Sequence, residues 1–181
     1  MKKLALLLLI ACPWFAGATT VAGVDLPETR GELRLNGAGL LRKGIFFKIY
    51  VGALYVANTN DVANILSDVP KRIDIHYFHH TPKRFMIKEA NKIMEKNLTA
   101  ERFEALKPML DQLHEVFMDG EKGGRASILF NPGHGLTYEF NDQMVINIPS
   151  DEFANAYFSI WLGEKPSSRT IKEAMLKGGK G

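Results

Sequence analysis

Three histidines fall within five residues in the stretch "HYFHH", at His76, His79 and His80. Histidine is the commonest metal ligand, so this spacing first suggests a metal site. On an extended strand, however, His76 and His80 project to one face and His79 to the other, so the three imidazoles do not converge. We therefore predict no metal site, and expect His79 and His80 to end a strand, before a helix that Thr81 caps and Pro82 begins.

Other catalytic patterns are missing from the sequence. It has no G-x-S-x-G nucleophile, no catalytic cysteine in the mature region and no phosphate-binding loop. The segment Gly37-Ala38-Gly39 lacks a third glycine and a following helix, so it predicts a bulge in a strand rather than a phosphate cradle. We expect no cofactor.

A pair of cations precedes the most hydrophobic stretch of the chain. Arg42 and Lys43 come just before "IFFKIYVGALYV", residues 45–56. A cation at the mouth of an apolar cavity pairs with a carboxylate or phenolate ligand. The alternative is that both side chains are ordinary exposed cations of a turn.

The first eighteen residues have the composition of a secretory signal peptide. A cationic start is followed by the apolar run 4–11 and by small residues ending at Ala18. We predict cleavage after Ala18 and a periplasmic location, with lipidation of Cys12 as the alternative. The apolar run is too short to span a bilayer, and no later stretch is long enough, so we predict no transmembrane segment.

The remaining residues, 19–181, have the composition of one globular domain. The whole chain has 181 residues, of which 46% are hydrophobic and 24% charged. Without the lysines of the leader, basic and acidic side chains nearly balance, which argues against a nucleic-acid partner. Cys12 is the single cysteine, so the mature domain contains no disulfide. Protein partners are not indicated by any motif.

Strand and helix patterns are grouped along the sequence. Alternating segments up to residue 79 predict strands, and two amphipathic helices follow from residue 82 to residue 117. A hairpin around residues 131–135, another strand and two helices complete the pattern. This grouping predicts an α+β fold in which helices cover one face of an antiparallel sheet.

Two segments resemble one known family. The stretch "LNGAGLLRKGIFFKIYVGALYV" resembles a strand pair of bacterial chalcone isomerase-like proteins, and "SILFNPGHGLTYEF" with a helix ending "WLGEKPSS" resembles their later hairpin and helix. The resemblance implies an open-faced β-sandwich with a large antiparallel sheet and a layer of helices. It also implies one of two activities: cyclisation of a phenolic enone, as in plant chalcone isomerases, or binding of a fatty acid between sheet and helices.

The resemblance assigns two polar site residues. The family arginine that holds the substrate anion best matches Arg42, although one extra leucine separates it from Gly39. The threonine of the next strand falls at Tyr50, which keeps a hydroxyl with a different reach. If the protein is an isomerase or intramolecular lyase, Arg42 and Tyr50 are its expected catalytic residues.

Other site positions depart from the catalytic pattern. The tyrosine at the start of the first long helix falls at Phe85, and the serine or threonine of the later helix falls at Ile160. The family asparagine corresponds to Asn91 only with a shift of one residue, since the strictly spaced position is Lys92. Because cyclisation needs donors at the developing enolate, these losses favour binding over catalysis.

The sequence therefore predicts a periplasmic chalcone isomerase-like protein without isomerase activity. We expect a hydrophobic or amphipathic anionic molecule, resembling a fatty acid, in a cleft between sheet and helices. The expected ligand-binding residues are Arg42, Tyr50, Phe85, Asn91, Ile160 and Trp161. Two alternatives are an isomerase acting on a phenolic or enone substrate and an envelope protein–protein interaction module.

Overall fold

The computed structural model describes residues 18–178. The predicted signal peptide and the alternative lipidation site at Cys12 lie outside the described residues, except for Ala18, which begins the first strand. Within the described range, no helix is both long enough and apolar enough to cross a membrane.

A curled antiparallel sheet of seven strands forms the centre of the fold. The chain begins with a separate hairpin, β1 (Ala18–Val21) and β2 (Val24–Pro27). The sheet then contains β3 (Thr29–Arg30), β4 (Leu33–Lys43), β5 (Phe47–Val56), β6 (Lys71–Tyr77), β7 (Arg125–Asn131), β8 (Gly135–Phe140) and β9 (Gln143–Ile148). Its strands lie side by side in their chain order. Every pairing between them is antiparallel.

Within residues 18–178, four α-helices accompany the sheet. They are α1 (Lys83–Asn97) and α2 (Ala100–Glu115), between β6 and β7, and α3 (Asp151–Leu162) and α4 (Arg169–Leu176), after β9. A short 3-10 helix, Thr59–Asn64, joins β5 to β6. Helix α1 packs against α3, α3 packs on β7 and β8, and α4 packs on β4 and β5. This arrangement confirms the predicted α+β fold.

The two faces of the sheet have different surroundings. On β6, Ile73, Ile75 and Tyr77 join the large core beneath the helices. Residues of the opposite parity, Asp74 and His76 among them, turn to the other face, where the β1–β2 hairpin covers a smaller core. The alternation predicted from the sequence is therefore confirmed, because successive side chains of a strand point to opposite faces.

The start of α1 differs from the prediction. Strand β6 ends at Tyr77 rather than at His79 or His80, and Pro82 is the N-cap rather than the first helical residue. Thr81 does not cap the helix, because its backbone pairs with Gly120. The exposed amide of the first turn is satisfied from elsewhere: Lys83 N donates to Asp119 Oδ1 over 2.7 Å.

The glycines near residues 37–39 serve close packing of α4. A Cβ added at Gly37 would strike the backbone oxygens of Ala174 and Met175, and one at Gly39 would lie 2.8 Å from the Ala174 side chain. Strand β4 runs through this segment, with a register shift between Leu35 and Gly37. The bulge therefore lies at Asn36, one residue before the predicted segment, and the glycines instead let helix α4 approach the sheet.

Candidate ligand-binding site

A cavity of about 190 Å³ lies between the sheet and the helices α1 and α3. For comparison, an apolar cavity of about 150 Å³ inside a protein is large enough to admit benzene. The lining is largely apolar, and Glu89 is its only charged residue within the described chain. The space therefore suits a hydrocarbon group better than a polar or ionic molecule.

Strands β4 to β8 form the floor of the cavity. Pairing aligns their inward residues, because Gly52 and Tyr50 of β5 lie opposite Ile75 and Tyr77 of β6. The floor residues come from five neighbouring strands and are Leu41, Ile49, Tyr50, Ile75, Tyr77, Ala126, Ile128 and Tyr138.

Two helices form the roof. On α1, Phe85, Glu89 and Ile93 recur every fourth residue and so share one side of the helix. On α3, Tyr157 and Trp161 are spaced in the same way. The roof residues are Phe85, Met86, Glu89, Ala90, Ile93, Tyr157, Ile160 and Trp161. Thr81, Phe117 and Ser167 complete the wall.

Three polar side chains of the cavity wall, Tyr50, Trp161 and Ser167, lie next to one another. Trp161 Nε1 donates to Tyr50 Oη over 3.3 Å. The Ser167 hydroxyl lies within hydrogen-bonding reach of the same oxygen. Because the indole N–H can only donate, Tyr50 accepts from Trp161 and keeps its own O–H proton to donate. This is the best-placed donor for an anionic or carbonyl group.

Burial keeps the tyrosines of the cavity neutral. Desolvation raises the pKa of Tyr50, which the hydrogen bonds from Trp161 and Ser167 only partly offset. Burial also raises the pKa of Tyr138 to about 12, and it raises those of Tyr77 and Tyr157. All four hydroxyls are therefore donors at neutral pH, and none is a ready general base.

Met86 accepts the hydrogen bond of one of these tyrosines. Tyr77 Oη lies 3.1 Å from Met86 Sδ, across the cavity from strand to helix. A thioether is a weak acceptor, so little energy would be lost if a ligand group took its place. Tyr77 is thus a second donor that a ligand can reach.

Four of the six predicted ligand-binding residues line this cavity. Tyr50 lies in the floor, and Phe85, Ile160 and Trp161 lie in the roof. The family resemblance assigned Tyr50, Phe85 and Ile160, and Trp161 was expected in the apolar wall; the structure brings all four together between the sheet and the helices. Phe85 also reaches the surface, with 49% of it exposed, which puts it at the mouth of the cavity.

Arg42 and Asn91 lie outside the cavity lining. Arg42 is exposed near the β4–β5 turn, and its Nη1 donates to the carbonyl of Ile45 over 3.3 Å. Asn91 follows Ala90 on α1, and its buried Oδ1 has no hydrogen-bond partner among the described residues. The cavity therefore has the predicted apolar wall and the Tyr50 hydroxyl, but the predicted cation, Arg42, lies outside it.

Three tyrosines of the site were not among the predicted site residues. Tyr77, Tyr138 and Tyr157 all contribute to the wall. The alternation of β6 did place Tyr77 on the core face, but a core tyrosine and a cavity tyrosine have the same pattern. Only the space left between sheet and helices distinguishes them.

The three histidines of the "HYFHH" stretch have different surroundings and do not form one site. His76 lies on the opposite sheet face from the cavity, where burial lowers its pKa to about 4. The His79 ring stacks on Phe47 at 4.6 Å. His80 Nδ1 lies 2.9 Å from Glu121 Oε1, and its Nε2 lies 3.9 Å from Asp119 Oδ2.

His80, Asp119 and Glu121 are the one group of possible metal ligands within residues 18–178. All three side chains are exposed, and the two carboxylates approach different nitrogens of the ring. A single ion would bind through one ring nitrogen, so this arrangement is better described as a surface cluster of polar side chains.

Comparison with known proteins agrees with this geometry. Residues 18–177 match the chalcone isomerase-like family. No curated protein sequence matches the chain. The crystal structure of a fatty-acid binding protein from Arabidopsis thaliana has the same fold, with a TM-score of 0.71 over 89% of this chain and 96% of that chain, at 14% sequence identity. The chain, whose match spans nearly all of its described residues, belongs to the chalcone isomerase-like family.

Proposed function

We propose that this protein binds a fatty-acid-like molecule in the cavity between the sheet and helices α1 and α3, and that it does so in the periplasm without isomerase activity. The observation that carries the proposal is the lining: an apolar wall around neutral tyrosine hydroxyls, with Glu89 as its single charge in the described chain. Such a wall favours an acyl chain, because burial of apolar surface is the main source of affinity.

The polar end of the ligand is expected at Tyr50. Its O–H donates to a carboxylate oxygen, while the hydrogen bond from Trp161 holds the phenol in place. A hydrogen bond to a charged oxygen contributes about 1.5–3 kcal/mol. Arg42 would contact the head group only of a ligand that extends out of the mouth towards the β4–β5 turn.

Catalysis of ring closure is disfavoured by the same lining. Phe85 and Ile160 occupy positions where the catalytic relatives carry hydroxyls, and both side chains lie in the cavity wall. The developing enolate would have Tyr50 as its main donor, and removal of one such donor commonly reduces turnover about a hundredfold or more. The same fold occurs in an Arabidopsis fatty-acid binding protein, which supports binding of an acyl chain as the activity.

The test is binding of a fluorescent long-chain fatty acid to delipidated protein that begins at residue 19. We expect saturable, one-to-one binding that unlabelled fatty acid displaces. Absence of saturable binding would contradict the proposal. Turnover of chalcone or a related enone above the uncatalysed rate, lost in Tyr50→Phe, would replace binding with isomerase activity.

A further inference from the structure

An exposed apolar turn projects from the sheet beside the cavity. Between β4 and β5, the side chains of Ile45, Phe46 and Phe47 are 78%, 90% and 52% exposed. We call these three residues the apolar tip. Three consecutive large hydrophobic residues in water are unfavourable, so such a feature indicates a surface that binds something.

Cations flank the apolar tip on both strands. Arg42 lies directly opposite Lys48 across the β4–β5 pair, and Lys43 lies opposite Phe47. Among the described residues, no carboxylate forms a salt bridge with these three cations, which we call the basic collar. Lys48 Nζ does contact the Ala22 carbonyl, over 3.4 Å, and the Phe78 ring, with 5.3 Å to its centroid. An apolar end flanked by cations without a carboxylate partner is complementary to the anionic surface of a phospholipid bilayer.

The same side of the molecule contains the beginning of α1. Phe47 stacks on His79, and the chain then leads to Lys83, Arg84 and half-exposed Phe85. These two cations also lack a salt bridge within residues 18–178. The carboxylates of Asp119 and Glu121 lie close by: both face His80, and Asp119 Oδ1 also accepts from Lys83 N over 2.7 Å. Lys83 and Arg84 therefore extend the basic collar at a place where two carboxylates border it.

We propose that the apolar tip inserts into the head-group region of an anionic phospholipid bilayer while the basic collar binds the lipid phosphates. A lipid surface fits better than a protein partner, because the tip is a narrow convex turn rather than a flat patch with a polar rim. Insertion is limited to the apolar tip, because Arg42 and Lys43 on one side of it and Lys48 on the other stay with the lipid head groups.

Docking in this way would place the cavity mouth at the membrane. Leu41 and Ile49, which line the cavity, lie on the two strands that carry the apolar tip, and Phe85 lies at the mouth. An acyl chain could then pass between bilayer and cavity with little exposure to water. This consequence, unlike the docking itself, rests on the proposed fatty-acid binding.

The test is flotation of the protein beginning at residue 19 with vesicles of phosphatidylglycerol and phosphatidylcholine, and with vesicles of phosphatidylcholine alone. We expect binding to the anionic vesicles that weakens at high salt. Phe46→Ser should reduce the partition coefficient by about tenfold or more, because burial of one aromatic side chain is lost. Arg42→Glu combined with Lys43→Glu should remove the preference for anionic lipid.

Met144→Ser is the matched control. Met144 is 69% exposed on β9, at the opposite edge of the sheet, so its replacement should leave flotation unchanged. Phe46→Trp gives a second measurement that does not depend on loss of binding. Its emission should shift to shorter wavelength, and brominated lipids should quench it, when anionic vesicles are added.

Three results would overturn the proposal. One is absence of flotation with anionic vesicles at low salt, and another is flotation of Phe46→Ser equal to that of the parent protein. The third is a dimer that Phe46→Ser dissociates, without vesicle binding, which would assign the tip to a second copy of the chain. Fatty-acid binding in vesicle-free solution should be unchanged in Phe46→Ser, so failure of the proposed function and failure of docking are separable.

Discussion

Trp161 of α3 and Tyr50 of β5 are joined by a hydrogen bond of 3.3 Å between the indole Nε1 and the phenol oxygen. The contact links the roof and the floor of the cavity. Because the indole can only donate, it takes an acceptor site of Tyr50 and leaves the phenol proton for a ligand. The Trp161–Tyr50 hydrogen bond therefore makes the Tyr50 hydroxyl a donor towards a ligand.

Tyr50→Phe should weaken the binding of fatty acids by about tenfold, since one hydrogen bond to a charged oxygen is lost. Titration calorimetry with a fatty acid and with the alkane of equal length measures this effect. The alkane should bind the variant and the parent protein alike. Tyr55→Phe removes the same hydroxyl on the same strand but on the opposite sheet face, so it is the matched control. Equal losses in both variants would contradict a direct role for Tyr50.

Arg42→Ala should change the affinity for fatty acid in solution by less than Tyr50→Phe does. The reason is position: the Arg42 guanidinium is exposed and bound to the Ile45 carbonyl, whereas Tyr50 lies in the cavity wall. Fluorescence displacement in vesicle-free buffer measures both variants. A larger loss in Arg42→Ala would show that the head group leaves the cavity and reaches the turn.

Ala126→Leu should shorten the longest fatty acid that the protein binds. Ala126 lies in the cavity floor on β7, so three added carbons occupy space that the acyl chain would fill. Overpacking costs about 1–3 kcal/mol of stability, which thermal unfolding will register separately. Ala38→Leu, on the other face of the sheet, is the control and should keep the chain-length preference. If Ala126→Leu still binds long fatty acids as the parent protein does, the ligand does not lie beside Ala126.

The cavity residues show what the sequence could predict. Tyr50, Phe85 and Ile160 come from distant segments, yet their family positions sufficed to predict one site, in which Trp161 also lies. The alternation of β6 and the spacing of α1 also gave the faces correctly, since periodicity reports which side of an element is buried. The space between those faces has no local pattern, so Tyr138 and Tyr157 could not be recognised.

Two other features depend on contacts between distant residues. Asp119 satisfies the Lys83 amide at the start of α1, which shifts the helix start past Thr81 and Pro82. Arg42 precedes an apolar segment in sequence. In the structure it lies at the end of β4, beside the β4–β5 turn, where its side chain is exposed and outside the cavity lining. Neither outcome could be predicted from neighbouring residues, because each is decided by how two elements meet.

Asp74→Ala should lower the free energy of unfolding by about 3–5 kcal/mol, because it removes the buried carboxylate that pairs with both Arg72 and Arg30. Asp74 is fully buried on the sheet face opposite the cavity. It accepts from Arg72 Nε over 2.5 Å, Ser127 Oγ over 2.8 Å and Arg30 Nε over 2.9 Å. Urea unfolding measures the loss.

The matched control for Asp74 is Asp111→Ala on α2. Asp111 pairs with Lys107 on the surface, so its loss should cost about 1 kcal/mol or less. Similar costs for the two variants would show that the buried network contributes no more than a surface pair. Fatty-acid affinity should survive Asp74→Ala wherever the protein is folded, because Asp74 does not line the cavity.

Stability should fall as the pH decreases from about 6.5 towards about 4, owing to His76 and His114. Burial lowers the pKa of each to about 4 from 6.5. Between these values the unfolded chain binds protons that the folded chain does not, so acid favours unfolding. Above pH 6.5 both states are neutral and the stabilisation is complete. Each histidine should contribute about 1–3 kcal/mol to the loss.

Urea midpoints at pH 7.5, 5.5 and 4.5 measure this dependence. His114→Gln and His76→Gln should each flatten the curve, even if they lower stability at pH 7.5, because a glutamine does not titrate. His134→Gln replaces an exposed histidine and should leave the slope unchanged. A slope that none of the three variants alters would assign the acid sensitivity to other titratable groups.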